Sequence, residues 1–362
     1  MSWTSRALIN SAALQHNLSI AKKNAPNSKI LAVIKSNAYG HGITQIAKAL
    51  NDADGYAVAT IQEAIKVREL YPDKLLLVLQ GFLNLEELKF FQQYNLHPVI
   101  HSLFQIELLE TSNTVKLDNT TRYWIKVDTG MGRLGFSVSD YAVAITRLEK
   151  YLTDINNSNI ILMSHFANAD DLDDSKTSKQ IDLFNQITSH YKYPKTLANS
   201  AGIMAWQESH FDWVRAGIML YGVSPFKIHT DTEKLQTVMT LESRLIAINF
   251  HKKGDSIGYG GGWTCSDDMA IGVVSIGYGD GYPRHATIGT PVLVNGKKTT
   301  LVGRVSMDMI CIDLSSIDNV TTGAIVTLWG EQLAIETVAE FSNTIAYELL
   351  CQVGKRVEFV YQ

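Results

Sequence analysis

The chain has 362 residues, 46% apolar and 19% charged, with a net charge of −4; that is the make-up of a globular protein with length for two domains. No run of Lys and Arg provides the footprint of a nucleic-acid binder, and the apolar runs are far too short to span a bilayer. Met1 to Asn10 has no basic segment leading into a long apolar core, so the expected location is the cytoplasm.

In chain order, Asn10-Ser11 reads as the cap of a helix running to about Asn24, with Leu14, Leu18 and Ala21 on one face. Eight strand-like apolar runs follow: Ile30–Lys35, Tyr56–Thr60, Leu75–Gln80, His97–His101, Arg122–Asp128, Ile160–His165, Lys195–Asn199 and Phe211–Arg215. Between them lie helical patterns such as Ile43–Leu50, Ile61–Leu70, Leu85–Tyr94, Leu103–Glu110, Tyr141–Tyr151 and Ser178–Tyr191. Strands alternating with helices predict an α/β fold, a (β/α)8 barrel over residues 1–230, with an open doubly wound sheet as the alternative.

The strand ends carry the chemistry. A barrel gathers Lys35, Lys126, Asp128, His165, Asn199, Ser200 and Arg215 at one mouth, although each alone has a structural reading: a solvated lysine, a core histidine, a helix cap, half of an ion pair. Together they are hard to explain by stability, because unpartnered buried charge is costly. Ser200-Ala-Gly202 and Gly217-Ile218 follow strands seven and eight, where barrels most often seat a phosphate. A phosphate-bearing cofactor beside the amine at the end of strand one suggests an aldehyde held as a Schiff base, which is pyridoxal phosphate (PLP).

From about Asp231 the rhythm changes to short strands: Leu241–Phe250, Met269–Ile276, Pro291–Val294, Thr299–Val302, Met309–Leu314, Ala324–Trp329 and a closing Arg356–Tyr361. Asn295-Gly296 predicts a type I′ hairpin, and one helix is expected at Glu336–Phe341. Residues 231–362 therefore read as an all-β domain, barrel or sandwich. Its glycine-rich loops present Tyr259 and Tyr278, which could pack or could carry a proton. Cys265, Cys311 and Cys351 are odd in number and far apart, so they read as small core residues and no metal site is expected.

Several stretches together resemble the alanine racemases: Ala32-Val-Ile-Lys-Ser-Asn-Ala-Tyr-Gly-His-Gly42, Lys126-Val-Asp-Thr-Gly-Met-Gly-Arg133, Val214-Arg-Ala-Gly-Ile218, Gly258-Tyr-Gly, Gly277-Tyr-Gly-Asp-Gly-Tyr and Gly303-Arg-Val-Ser-Met-Asp308. The resemblance implies a (β/α)8 barrel followed by a β domain, PLP as cofactor, and a homodimer in which one subunit's β domain completes the other's barrel mouth. It implies Lys35 and Tyr259 as the two catalytic bases. Tyr39, Ser200, Gly217, Ile218 and Tyr347 would bind the phosphate. Arg215 would face the pyridine nitrogen, with His165 and Asn199 beside the cofactor. Arg133 and the backbone of Met307 would hold the substrate carboxylate. Lys126, which the family can carry as a carbamate, would support Arg133. Asp170, Tyr278, Arg284, Arg304 and Asp308 would support the site or line its entrance. The implied activity is interconversion of L- and D-alanine for peptidoglycan. Rival readings are a broader racemase acting on serine or lysine, a PLP-dependent decarboxylase and a non-catalytic PLP-binding protein.

Overall fold

The computed structural model describes residues 5–112, 115–154, 159–226 and 235–362. Eight parallel strands close a barrel: Lys29–Val33, Gly55–Val58, Leu75–Val78, His97–Ile100, Tyr123–Lys126, Ile160–Met163, Lys195–Thr196 and Trp213–Ala216. Each falls within one or two residues of its expected start, and the open-sheet alternative is excluded by pairing of the first strand with the last, Lys29 opposite Trp213. Most of these strands are buried at every position, as parallel strands covered by helices on one face and barrel interior on the other must be.

The second sheet has eight strands in the order Met269–Val274, Ile310–Asp313, Lys297–Val302, Pro291–Val294, Ile325–Trp329, Met239–His251, Ser5–Ile9, Glu358–Tyr361. The 13-residue strand Met239–His251 changes partner along its length. Its first half pairs with Ile325–Trp329, and from Leu245 on, across a register shift between Leu245 and Ala247, it pairs with Met269–Val274. That pairing closes six strands into a ring, so the β domain is a barrel and not a sandwich. Asn295 and Gly296 both have positive φ, +47° and +81°, as the expected type I′ hairpin requires.

Several features depart from the sequence reading. Ser5–Ile9, assigned there to no element, pairs antiparallel with Met239–Ser243 and parallel with Glu358–Tyr361. The described residues thus open with a strand of the β sheet and then enter the barrel. The β domain also holds two helices, Ile335–Phe341 and Ala346–Gln352, where one was expected. The short second helix reads as loop because Ile345 offers it no side-chain cap and its seven residues span barely two turns. The proposed division between residues 230 and 231 lies outside the described residues. Among the described residues, no helix is long and apolar enough to cross a membrane.

Candidate active site

The first barrel strand stops at Val33, so Lys35 does not end it. Lys35 opens a left-handed turn in which Ser36, Asn37, Ala38 and Tyr39 have φ of +54°, +53°, +55° and +50°. This conformation costs about 1–2 kcal/mol for each L-residue, so four in series persist only where the surroundings over-determine them. Here they do. The Ala38 N–H donates to Ile34 O at 2.9 Å and the Gly40 N–H to Ser36 O at 3.0 Å. Glu63 Oε1 accepts the Asn37 N–H at 3.1 Å, and Asn37 Oδ1 accepts the Ile43 N–H at 3.0 Å. From the far end of the chain, the Tyr361 hydroxyl donates to His41 O at 3.0 Å. Gly40, at φ +81°, could carry no side chain, because its Cβ would overlap the carbonyl of Leu350.

Lys35 lines a cavity of about 870 Å³ at the barrel mouth, together with Lys126, Arg133 and Arg215. Burial, then the charge of Arg133, lowers the Lys35 pKa. Arg215 is buried and donates to Thr196 Oγ1 at 2.6 Å, Ser164 O at 2.7 Å, Leu197 O at 3.0 Å and His165 Nδ1 at 3.0 Å. No carboxylate pairs with it among the described residues, so the reading of Arg215 as half of an ion pair fails. Burial draws its pKa down to about 9, which still leaves it cationic at neutral pH. Burial and Arg215 hold His165 well below its usual range, so the ring is neutral and accepts on Nδ1. Asp170, Glu336 and Glu340 also line the cavity, but these four cations act on one another and on His165, and their cluster makes a seat for an anionic ligand.

Arg133 owes its position to Asp128. The Asp128 carboxylate accepts the N–H groups of Gly130, Met131 and Gly132, each at 2.8 Å. The ends of the loop are joined by Asp128 N–H to Phe136 O and Phe136 N–H to Lys126 O, at 2.9 and 2.8 Å. Lys126 Nζ closes it from below on Leu134 O at 2.5 Å.

Hydroxyl groups also gather in the cavity lining, around Gly217. Asn199 Oδ1 caps the helix Ser200–Ala205 by accepting the Gly202 N–H at 3.0 Å. Ser200 Oγ accepts the Gly217 N–H at 2.9 Å and the Met219 N–H at 3.3 Å, tying the segments after strands seven and eight together, with Ile218 between them. A Cβ on Gly217 would sit 3.1 Å from the Tyr39 hydroxyl and 3.5 Å from Ser200 Oγ, so its absence keeps the space between those hydroxyls open. Burial raises the pKa of Tyr39 and pushes that of Tyr347 up to about 12, so both phenols keep their protons at neutral pH. Neither donates to protein among the described residues. Asp170 completes the lining.

The structure thus brings together Lys35, Tyr39, Lys126, Arg133, His165, Asp170, Asn199, Ser200, Arg215, Gly217, Ile218 and Tyr347. Six other expected residues are absent from this lining: Tyr259, Met307, Tyr278, Arg284, Arg304 and Asp308. All six are exposed on the β domain. Tyr259, 69% exposed, sits at the tip of a hairpin between Ser256–Ile257 and Trp263–Thr264. Met307 is 53% exposed and its carbonyl accepts the Gly279 N–H at 2.8 Å, while Asp308 pairs with Arg356 at 2.8 Å. Cys351 also departs from expectation: it is an exposed residue lining the cavity, not a core residue, because it rides on the helix the sequence reading left out. The same omission hid what Tyr347 stands on. Glu63 was legible only as half of a capping box, Thr60-x-x-Glu63, which gives no hint that its carboxylate also reaches the Lys35 turn.

The comparisons with known proteins follow this division. The family described as alanine racemase, N-terminal domain, matches residues 9–225, and that described as alanine racemase, C-terminal domain, matches residues 238–361. The chain belongs to the alanine racemase family. It is 48% identical over 360 residues to an alanine racemase of Coxiella burnetii and 46% identical over 357 residues to one of Aeromonas hydrophila, with 98% of each chain covered in both cases. Among solved structures it is similar to the biosynthetic alanine racemase of Pseudomonas aeruginosa, with a TM-score of 0.95, 38% identity and full coverage of both chains. It is also similar to the alanine racemase of Bartonella henselae described with covalently bound pyridoxal phosphate, with a TM-score of 0.90, 30% identity and full coverage of both chains.

The cation cluster has a consequence for stability. Burial, then Arg215 and Arg133, lower the Lys126 pKa from 10.5 to about 8. Below pH 8 both folded and unfolded states hold this proton, and the folded state bears the whole cost of burying the charge. Between pH 8 and 10.5 the unfolded state binds more protons, so the contribution to stability rises with pH. Urea unfolding of the ligand-free protein is expected to show this rise, on the order of 3 kcal/mol at most, and Lys126→Met is expected to flatten it.

Proposed function

We propose that the chain interconverts L- and D-alanine in the cytoplasm as a homodimer, with PLP held at Lys35, and so supplies D-alanine for peptidoglycan. The observation that carries this reading is a half-buried lysine of lowered pKa sharing one cavity with an open, hydroxyl-lined seat and three further cations. The seat fits a phosphate: Gly217 leaves the space, Ser200 and the protonated phenols of Tyr39 and Tyr347 surround it, and Asn199 and Ile218 complete it. When bound, PLP supplies an aldehyde that links to amines and a ring that withdraws electrons from the substrate's α-carbon.

The residues then divide the work. Arg133 binds the substrate carboxylate, placed for it by Asp128 and Lys126. Arg215 presents a guanidinium to the ring nitrogen; because it keeps its protons, it donates there without surrendering one, and neutral His165 fixes its direction. Lys35 Nζ moves the α-proton on one face, and its lowered pKa suits that task near neutral pH. The opposite face needs a second base, and no tyrosine of the loop at 259 reaches this chain's own cavity. We therefore assign that base to Tyr259 of the partner subunit. The β-domain cluster of Tyr259, Tyr278, Arg284, Arg304, Met307 and Asp308 would complete the mouth of the other barrel, and its exposure in one chain supports this. Residues 1–230 and 231–362 serve as the working division between barrel and β domain.

Matches over the full length to proteins named alanine racemase favour this reading over a decarboxylase or a non-catalytic PLP binder. Chiral analysis of L-alanine, L-serine and L-lysine incubated with the enzyme tests it: racemisation of alanine well ahead of the other two is expected. Carbon dioxide release without D-product would overturn it in favour of decarboxylation.

A further inference from the structure

One carboxylate ties the left-handed turn behind Lys35 to the neighbouring loop of the barrel. Glu63 lies in the first turn of the helix Ile61–Arg68, after the second barrel strand. Its Oε1 accepts the Asn37 N–H at 3.1 Å; its Oε2 accepts the Ala59 N–H at 3.0 Å and the Thr60 N–H at 3.4 Å. One side chain therefore bridges the loop after strand one and the loop after strand two. The Asn37 N–H points away from the turn's own hydrogen bonds, and Asn37 in turn fixes the entry to the next helix through Ile43. The remaining bonds of the turn are made within residues 34–43, or by Tyr361 two residues beyond its left-handed stretch.

We infer that Glu63 is a positioning residue for Lys35, the clamp that keeps the strained Ser36–Tyr39 turn left-handed and thereby fixes where the lysine side chain enters the cavity. This rests on the reading of Lys35 as the PLP lysine. The carboxylate acts through two acceptor oxygens, each already engaged with backbone N–H donors on a different loop. An amide at this position could satisfy only one loop, because its NH2 would face a donor on the other. The charge of Glu63 also raises the Lys35 pKa, opposing the cations of the cavity.

The test compares Glu63→Gln with Thr60→Ala in the holoenzyme. Thr60 Oγ1 accepts the Glu63 N–H at 3.3 Å and caps the same helix, but its hydroxyl makes no bond to the turn. Three readouts are taken: amide exchange of peptides covering residues 35–42 by mass spectrometry, the half-time for hydroxylamine to discharge the lysine-linked cofactor absorbance, and kcat and KM separately. Glu63→Gln is expected to speed exchange in that peptide about tenfold, as loss of one charge-assisted hydrogen bond implies. It is expected to shorten the discharge half-time severalfold and to lower kcat about tenfold or more, with KM changed less than about twofold. Thr60→Ala is expected to lower thermal stability while leaving all three near wild type. Equal effects from both substitutions would reduce Glu63 to a helix cap and overturn the proposal, as would unchanged exchange and discharge in Glu63→Gln. Absence of any lysine-linked absorbance in the wild type would instead overturn the reading of Lys35 itself.

Discussion

Lys35→Ala is expected to abolish both the lysine-linked absorbance of the cofactor and racemisation, with turnover down at least about 10⁴-fold. On the proposed role of Lys35, the size follows from three losses at one atom: the covalent tether, the base on one face, and the amine that must be displaced by substrate. The substitution is expected to be well tolerated by the fold, since it removes a half-buried cation whose proton is pushed off by burial and by its neighbours Arg133 and Arg215, against the opposing charge of Glu63. Absorbance spectra and chiral assays of the purified variant check the expectation, with thermal unfolding as the control. A variant that folds, turns yellow with PLP and racemises at more than about a hundredth of the wild-type rate would remove Lys35 from the centre of the site.

The second large effect is recovery, not loss. Lys35→Ala and Tyr259→Phe are each expected to be inactive alone. If Tyr259 serves the partner's barrel, a hybrid dimer carries one site with both bases damaged and one with both intact. Mixing and exchanging subunits in equal amounts gives hybrids as half of all dimers, hence about a quarter of the wild-type activity. A site built wholly within one chain gives no recovery at all. The exposure of Tyr259 on a hairpin tip, outside the lining of the cavity that holds Lys35, is what makes the first outcome the expected one.

Much of this was legible in the chain itself, for physical reasons. Parallel barrel strands are buried on both faces, so they appear as apolar runs with clear ends, and polar residues at those ends stand out: Lys126, His165, Asn199 and Arg215 all reach one cavity. The hairpin at Asn295-Gly296 was equally readable, because few residues accept positive φ. What escaped is what depends on long-range company. Ser5–Ile9 is a strand only because Met239–Ser243 and Glu358–Tyr361 flank it. The helix Ala346–Gln352, bearing Tyr347 and Cys351, lacks a cap and is held by packing. The left-handed Ser36–Tyr39 turn contradicts the local preference of every residue in it but Asn37, and it is braced from outside by Glu63 on the Asn37 N–H and by Tyr361 on His41 O. Two of these three features lie directly behind Lys35.

The central claim is that one lysine and one tyrosine work on opposite faces of the same carbon. Incubation of the enzyme with L-alanine in heavy water, followed by chiral separation and mass analysis at early times, tests it most directly. The account predicts D-alanine carrying solvent deuterium at Cα from the first turnovers, because the group that returns the proton is not the group that took it. D-alanine that retains the original α-hydrogen, or L-alanine that keeps both its hydrogen and its optical rotation, would contradict it.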